Sequence, residues 1–286
     1  MLTVLAPAKI NLTLEVLGER PDGYHQVRGV TQTIDLCDRL SLRSADDVTI
    51  RSDSEEFIVG ESLVPRAAGL LREALGYSKG ASIEITKRIP FSAGLGGDSS
   101  AAAAALRGLN RLWGSGLSLA ELAALSSRLG SDVPFFVYGG TALVEGRGER
   151  VTPLQPLPPW WVLLVVPALP RPREKTRMLY AALRPPHFTD GRITGRLVRA
   201  LAGGSFEPSL LLNTFENVAF TEFPGLEVYR QHLVKLGAPH VHLAGSGPAL
   251  FSLFKDKAQA EDLYTRCRQQ GLESYLARTI ARTPKD

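Results

Sequence analysis

The chain has 286 residues, 44% of them hydrophobic and 22% charged, with a net charge of +4. This is an ordinary globular balance, with length enough for two domains or one large one. Neither lysine/arginine runs nor interleaved aromatics occur, which disfavours nucleic acid as a partner, whereas a mild basic excess suits small polyanions such as nucleotides.

In chain order, residues 2–16 read as extended structure, broken at Ala6-Pro7-Ala8-Lys9-Ile10-Asn11. A turn-rich loop follows and carries Tyr24 and His25. Strand-like segments come next at 27–36, 39–43 and 47–52. Residues 62–75 have helical apolar spacing and stop at Gly76. Residues 81–87 alternate apolar and polar like a half-buried strand, and residues 101–110 read as a helix with Ser99 and Ser100 as capping residues. Ser118 and Glu121 form a capping box opening another helix, which ends near Gly130-Ser131-Asp132-Val133-Pro134. Residues 139–146 look like a strand between turns, and the proline cluster at 153, 156, 158 and 159 divides a domain 1–156 from a domain 157–286.

The second half reads as strand 160–166, helices at about 176–183, 192–202, 213–220 and 226–236, then strands 240–243 and 249–254. Helix 257–270 and strand 273–277 complete it. With the middle helices merged, this is β-α-β-β-α-β, a ferredoxin-like order. The longest apolar run, residues 160–169, contains Pro167 and is too short to cross a bilayer. No signal peptide is apparent, so a cytoplasmic protein without membrane partners is expected. Cys37 and Cys267 lie far apart, no metal-ligand spacing occurs among cysteines and histidines, and two buried, reduced thiols are expected.

The stretch Pro90, Phe91, Ser92, Ala93, Gly94, Leu95, Gly96, Gly97, Asp98, Ser99 and Ser100 carries the chemistry. Three glycines in four residues between a strand and a helix mark positive φ or close backbone approach. Unpaired N–H groups and the positive end of a helix dipole then meet at one point, which suits a phosphate. Taken alone, the same spacing also fits a crowded turn. It is not a P-loop, having no lysine after the glycines, and it lacks the third glycine of the dinucleotide fingerprint. Lys9 reads either as an edge-strand charge or as a phosphate or carboxylate contact, and Asp132 either as a turn former or as an acid at an apolar mouth.

Together, Pro7-Ala-Lys-Ile-Asn-Leu, the glycine stretch and Ala244-Gly-Ser-Gly-Pro resemble the three motifs of the GHMP small-molecule kinases. Pro21-Asp-Gly-Tyr-His25, Gly130-Ser-Asp-Val-Pro-Phe136 and Asn213-Thr-Phe-Glu216 resemble the branch that phosphorylates a cytidine-diphosphate-linked methylerythritol in isoprenoid precursor synthesis. The resemblance implies an α+β fold of two domains, the first like domain 2 of ribosomal protein S5 and the second ferredoxin-like, in a monomer or weak homodimer. It implies ATP and Mg²⁺ as cofactors, Asp132 as catalytic base and Lys9 as its partner. Residues 90–100 would wrap the ATP phosphates with Lys87 close by, while Asn11, Tyr24, His25 and Tyr180 would bind the cytidine end. Two positions depart from the family pattern. Asp98 stands in the glycine run, where its carboxylate is expected to face solvent or magnesium, and Ser62 stands where asparagine is commoner.

Overall fold

The computed structural model describes residues 1–172 and 174–282. It begins with a long antiparallel pair, β1 (Leu2–Glu19) and β2 (His25–Ala45). The sequence breaks expected near Pro7 and at 37–38 are register shifts inside this pair: Pro7 faces Cys37 while Ala8 faces Ile34. A bulge bends a strand without ending it, so segments that read as separate form one ribbon.

Next come β3 (Val48–Ser52), α1 (Leu63–Leu75), β4 (Gly80–Thr86), α2 (Gly97–Trp113), α3 (Leu119–Ser126) and α4 (Val133–Tyr138). β5 (Thr141–Gly146) and β6 (Arg150–Pro153) follow. β3 lies parallel on β4, β4 antiparallel on β2, and β5 bridges β2 and β6. The second half contains β7 (Trp161–Val165), α5 (Lys175–Ala182), α6 (Arg192–Ala202), β8 (Leu212–Asn213), α7 (Glu216–Glu222) and α8 (Leu226–Lys235). It ends with β9 (His242–Leu243), β10 (Leu250–Phe254), α9 (Lys257–Gln269) and β11 (Ser274–Arg278).

These last strands form an antiparallel sheet in the order β11-β7-β10-β9, the ferredoxin-like arrangement expected from the element order. One segment differs from expectation. Leu212 and Asn213 do not begin a helix but form β8, which pairs in parallel with Thr13 and Leu14 of β1. The Asn213 amide donates to the carbonyls of Leu243 and Gly245, and its Oδ1 accepts from Phe215 N, so side-chain bonding to backbone replaces a helical turn. β1 thereby threads all three apolar cores, with Val4 and Ala6 in one, Ile10 and Leu12 in the next, and Leu14 and Val16 in the third.

The run Ala101–Ala105 is buried to within 1%. Side chains of one carbon let α2 seat closely against its neighbours, and buried Arg107 ties it to Phe136 O at 2.7 Å and Leu5 O at 2.9 Å. Helix α2 begins at Gly97 rather than at Ala101, with Gly96 at its N-cap in a left-handed conformation, φ 72°. Ser99 and Ser100 are therefore helical, and the Ser100 hydroxyl donates to Pro7 O at 2.7 Å instead of capping. Cys267 is in the core, but Cys37 is only half-buried.

Asp98 is exposed at the cleft, as expected, but its carboxylate also has protein partners. Its carboxylate accepts from Ser62 Oγ at 2.7 Å and from Leu63 N at 3.1 Å, so a residue in the first turn of α2 closes the N-terminus of α1. A carboxylate there satisfies an orphan N–H and meets the positive end of the α1 dipole. Asp98→Ala should lower stability by about 1–2 kcal/mol, the usual cost of a lost N-terminal cap, read as a fall in urea midpoint at unchanged m. Ala103→Leu should cost about 1–3 kcal/mol by overpacking, and an unchanged midpoint would mean that α2 does not need its small face.

Candidate active site

A cleft of about 700 Å³ opens between β1, the glycine loop, the start of α4, α5 and the turn at Gly245-Ser246. It is lined by Lys9, Asn11, Lys87, Asp132 and Tyr180, and by every residue from Pro90 to Ser99. Ser100, fully buried, lies behind the loop.

Lys9 and Asn11 are two apart on β1 and so share a face. Lys9 Nζ donates to Asn11 Oδ1 at 2.7 Å and lies 3.7 Å from Asp132 Oδ2, while Asn11 Nδ2 donates to Thr31 Oγ1 at 3.1 Å. The lysine side chain is 8% exposed and the aspartate 52%. Asp132 occupies the N-cap position of α4, yet its side chain makes no capping bond. The carboxylate is therefore held by a cation and remains open to the cleft.

The glycine loop is gripped from both sides. Leu95 O accepts from Lys9 N at 3.0 Å, and Ala93 O accepts from Ala249 N at 3.1 Å. Gly94, at φ 87°, passes so near the turn 244–247 that a Cβ would overlap Ala244 O. At Gly96 a Cβ would come within 2.7 Å of the Phe136 ring. Gly97, by contrast, is not at positive φ and simply begins α2. The first N–H groups of a helix have no intrahelical partner, and here they open onto the cleft.

Lys87 pairs closely with Asp38, whose other oxygen accepts from Arg88 N at 2.7 Å and Ile89 N at 2.8 Å. Lys87 Nζ also lies 4.9 Å from the Phe91 ring centroid. Asp38 is wholly buried, and sequence reasoning missed it. No local signal marked it, because Asp38 stands beside Arg39 at an expected break between two strand-like segments.

The aromatic residues divide. His25 stacks on Tyr180 with ring centroids 4.6 Å apart, and Phe215 packs edge-on against Tyr180 at 4.8 Å. Burial lowers the His25 pKa, with the Glu19 charge pulling the other way, and burial raises that of Tyr180, helped by the Asp132 charge. His25 lies behind Tyr180, outside the cleft lining. Tyr24 is apart from both: it is half exposed, has the Arg147 guanidinium 4.7 Å over its ring, and borders a shallower pocket with residues 127–131.

Sequence reading passed over Lys175, which stands at the cleft wall 2.7 Å from Ser246 of the Ala244-Gly-Ser-Gly-Pro motif. Among the described residues no group of three or more His, Cys, Asp or Glu could hold a metal ion alone. Mg²⁺ in phosphate-transfer sites rests mainly on substrate phosphates with one or two protein oxygens, and the cleft wall offers the Ser99 hydroxyl in the first turn of α2. No helix among the described residues is long and apolar enough to cross a membrane.

The GHMP kinases N terminal domain matches residues 62–140, and the GHMP kinases C terminal domain matches residues 192–272. A 4-diphosphocytidyl-2-C-methyl-D-erythritol kinase of Dehalococcoides mccartyi is 50% identical over 98% of this chain and 99% of its own. One of Geobacillus sp. is 41% identical over 93% of each chain. A crystal structure of 4-(cytidine 5'-diphospho)-2C-methyl-D-erythritol kinase superposes with a TM-score of 0.82 at 36% identity, covering 97% of this chain and 99% of the other. With a glycine loop, a Lys9–Asp132 pair and a ferredoxin-like second sheet in one fold, the chain belongs to the GHMP kinase family, in the branch of these cytidylyl-methylerythritol kinases.

Proposed function

We propose that the protein transfers the γ-phosphoryl group of ATP to the 2-hydroxyl of 4-diphosphocytidyl-2-C-methyl-D-erythritol, a step of the non-mevalonate route to isoprenoid precursors. One observation carries the mechanism: Lys9 and Asp132 meet 3.7 Å apart in the cleft into which α2 opens. Lys9 holds the pair from the buried side while the half-exposed Asp132 carboxylate stays within reach of a hydroxyl entering the cleft.

The hydroxyl oxygen bonds to the γ-phosphorus as the bond from that phosphorus to ADP breaks. ADP leaves with the electron pair, and Asp132 accepts the hydroxyl proton. Lys9, anchored on Asn11 Oδ1, keeps the carboxylate turned toward the reacting oxygens. Residues 90–100 wrap the phosphates through backbone N–H groups, with Lys87 beside the nucleotide. Mg²⁺, when bound, would neutralise phosphate charge, and Ser99, in the first turn of α2, is the cleft oxygen that would help hold it.

The cytidine end falls to Asn11, Tyr24, His25 and Tyr180. Because His25 and Tyr180 already stack on each other, cytosine is assigned to the cleft side of Tyr180, with His25 supporting the ring from behind. Tyr24 would close over the base by leaving Arg147. The reading needs no second subunit at the cleft and keeps a monomer or weak homodimer, and soluble nucleotide substrates favour the cytoplasm.

The deciding experiment is ADP release with the cytidylyl substrate against homoserine and mevalonate. Turnover of either control, with none of the cytidylyl compound, would remove the substrate assignment. Asp132→Asn should lower kcat by roughly 10²–10⁴-fold with little change in KM, as expected for a lost general base. Lys9→Ala should also be severe, and the double variant no worse than the more damaged single one, since the two act as a unit. A folded Asp132→Asn protein with near-native kcat would leave positioning and charge neutralisation to do the chemistry. Tyr24→Ala and Tyr180→Ala should each raise KM for the cytidylyl substrate and leave KM for ATP nearly intact. If both KM values rise together, these aromatics serve the fold instead.

A further inference from the structure

Three lysines line the cleft, and they differ in what they face. Lys9 has Asp132 and Lys87 has Asp38. Lys175, the first residue of α5, has no carboxylate partner among the described residues. Its Nζ donates to Ser246 Oγ at 2.7 Å, and the same hydroxyl lies 2.8 Å from Thr176 Oγ1. An ammonium has three donors, so capacity remains for an incoming acceptor. The residue is only 6% exposed. Burying a cation with one neutral hydrogen bond is costly, a cost that an anion arriving at the remaining donors would offset.

The surroundings indicate which anion. Ser246 belongs to the turn that grips the glycine loop at Gly94, and a Cβ on neighbouring Gly245 would stand 3.0 Å from Lys9 Nζ. One tight turn therefore lies between Lys9 and Lys175. Both the Lys9 and Asp132 charges reach Lys175 electrostatically, the first opposing its protonation and the second favouring it. We infer that Lys175 is a catalytic residue of this kinase, a second cation that binds the γ-phosphoryl group of ATP and follows it through transfer, an assignment that rests on the function proposed above. Lys9 is committed to the base and Lys87 to Asp38, which leaves Lys175 as the lysine able to give its full charge to the moving group. Burial, with Lys9 adding to it, brings its pKa down to about 8. The cation is thus present at neutral pH and is lost as pH rises through that value.

The test compares the wild-type chain with Lys175→Met and Lys175→Arg, using AMP-PNP and ADP as calorimetric probes and ADP release as the turnover assay. Lys175→Met should lose about 10–100-fold in AMP-PNP affinity, the range of one charge-assisted hydrogen bond, with ADP affinity held within about twofold. Lys175→Arg should recover part of the loss. In the wild type, AMP-PNP affinity and kcat/KM for ATP should fall as pH passes about 8, a limb missing from Lys175→Met, because kcat/KM reports the free enzyme. Equal losses for ADP and AMP-PNP, no loss for either, or a loss confined to the cytidylyl substrate would each overturn the assignment. Circular dichroism separates these outcomes from misfolding, and an Arg variant that restores discrimination excludes a merely structural role. If the wild-type chain binds AMP-PNP in this manner but releases no ADP with the cytidylyl substrate, the substrate reading fails while the γ-phosphoryl contact stands.

Discussion

The structure depends on one close approach. Gly94 and the turn at 244–247 come from different halves of the chain, yet they pack with no room for a Cβ between them. That seam fixes the glycine loop on one side, and the bond from Lys9 N to Leu95 O fixes it on the other. A loop held at both edges presents its N–H groups in a set direction without needing ligand to order it. Preorganised dipoles are the form of electrostatic stabilisation that loses least to reorganisation. The seam also explains why the ferredoxin-like half matters to a site whose best-known motif is in the other half. It supplies the turn, Lys175 and Tyr180.

Much of this was legible in the sequence because it is written in local chemistry. Gly76 ends α1 with φ 61°, and Ser118 with Glu121 forms the capping box of α3, both as their residue types require. The order of strands and helices after residue 160 was enough for the ferredoxin-like sheet. What stayed hidden was set by contacts distant in sequence. Asp38 and Lys87 are 49 residues apart and look like ordinary charges until β2 and β4 pair. Asp98 was read against its neighbours in the glycine run, where a carboxylate beside phosphates is awkward. Its partner is Ser62, 36 residues earlier, and a serine in place of the commoner asparagine leaves a hydroxyl that donates to it. Two departures from the family pattern thus meet in one hydrogen bond.

Helix boundaries were misplaced for a related reason. Ser99 and Ser100 have the composition of caps, but the turn before them is already helical because Gly96 adopts the left-handed conformation. Ser100 then spends its hydroxyl on Pro7 O, joining α2 to β1 one residue pair before Lys9. Local propensity named the right residues and gave the wrong bonds, since the tertiary acceptor could not be seen.

The alanine run completes the argument from packing to chemistry. A helix whose N-terminus is to serve an anion must end at the cleft and must not move when the ligand arrives. Five consecutive small residues let α2 approach its neighbours closely, and Arg107 locks its middle to β1 and α4 through backbone carbonyls. β1 carries Lys9, and α4 opens with Asp132. The same guanidinium that braces the helix therefore braces the two segments that bring Lys9 and Asp132 together. Larger side chains on α2 would lift the helix away from β1 and separate its N–H groups from the Lys9–Asp132 pair. The alanines that look like simple helix propensity in the sequence thus help set how closely the N-terminus of α2 approaches the Lys9–Asp132 pair, the spacing on which the proposed in-line transfer would depend.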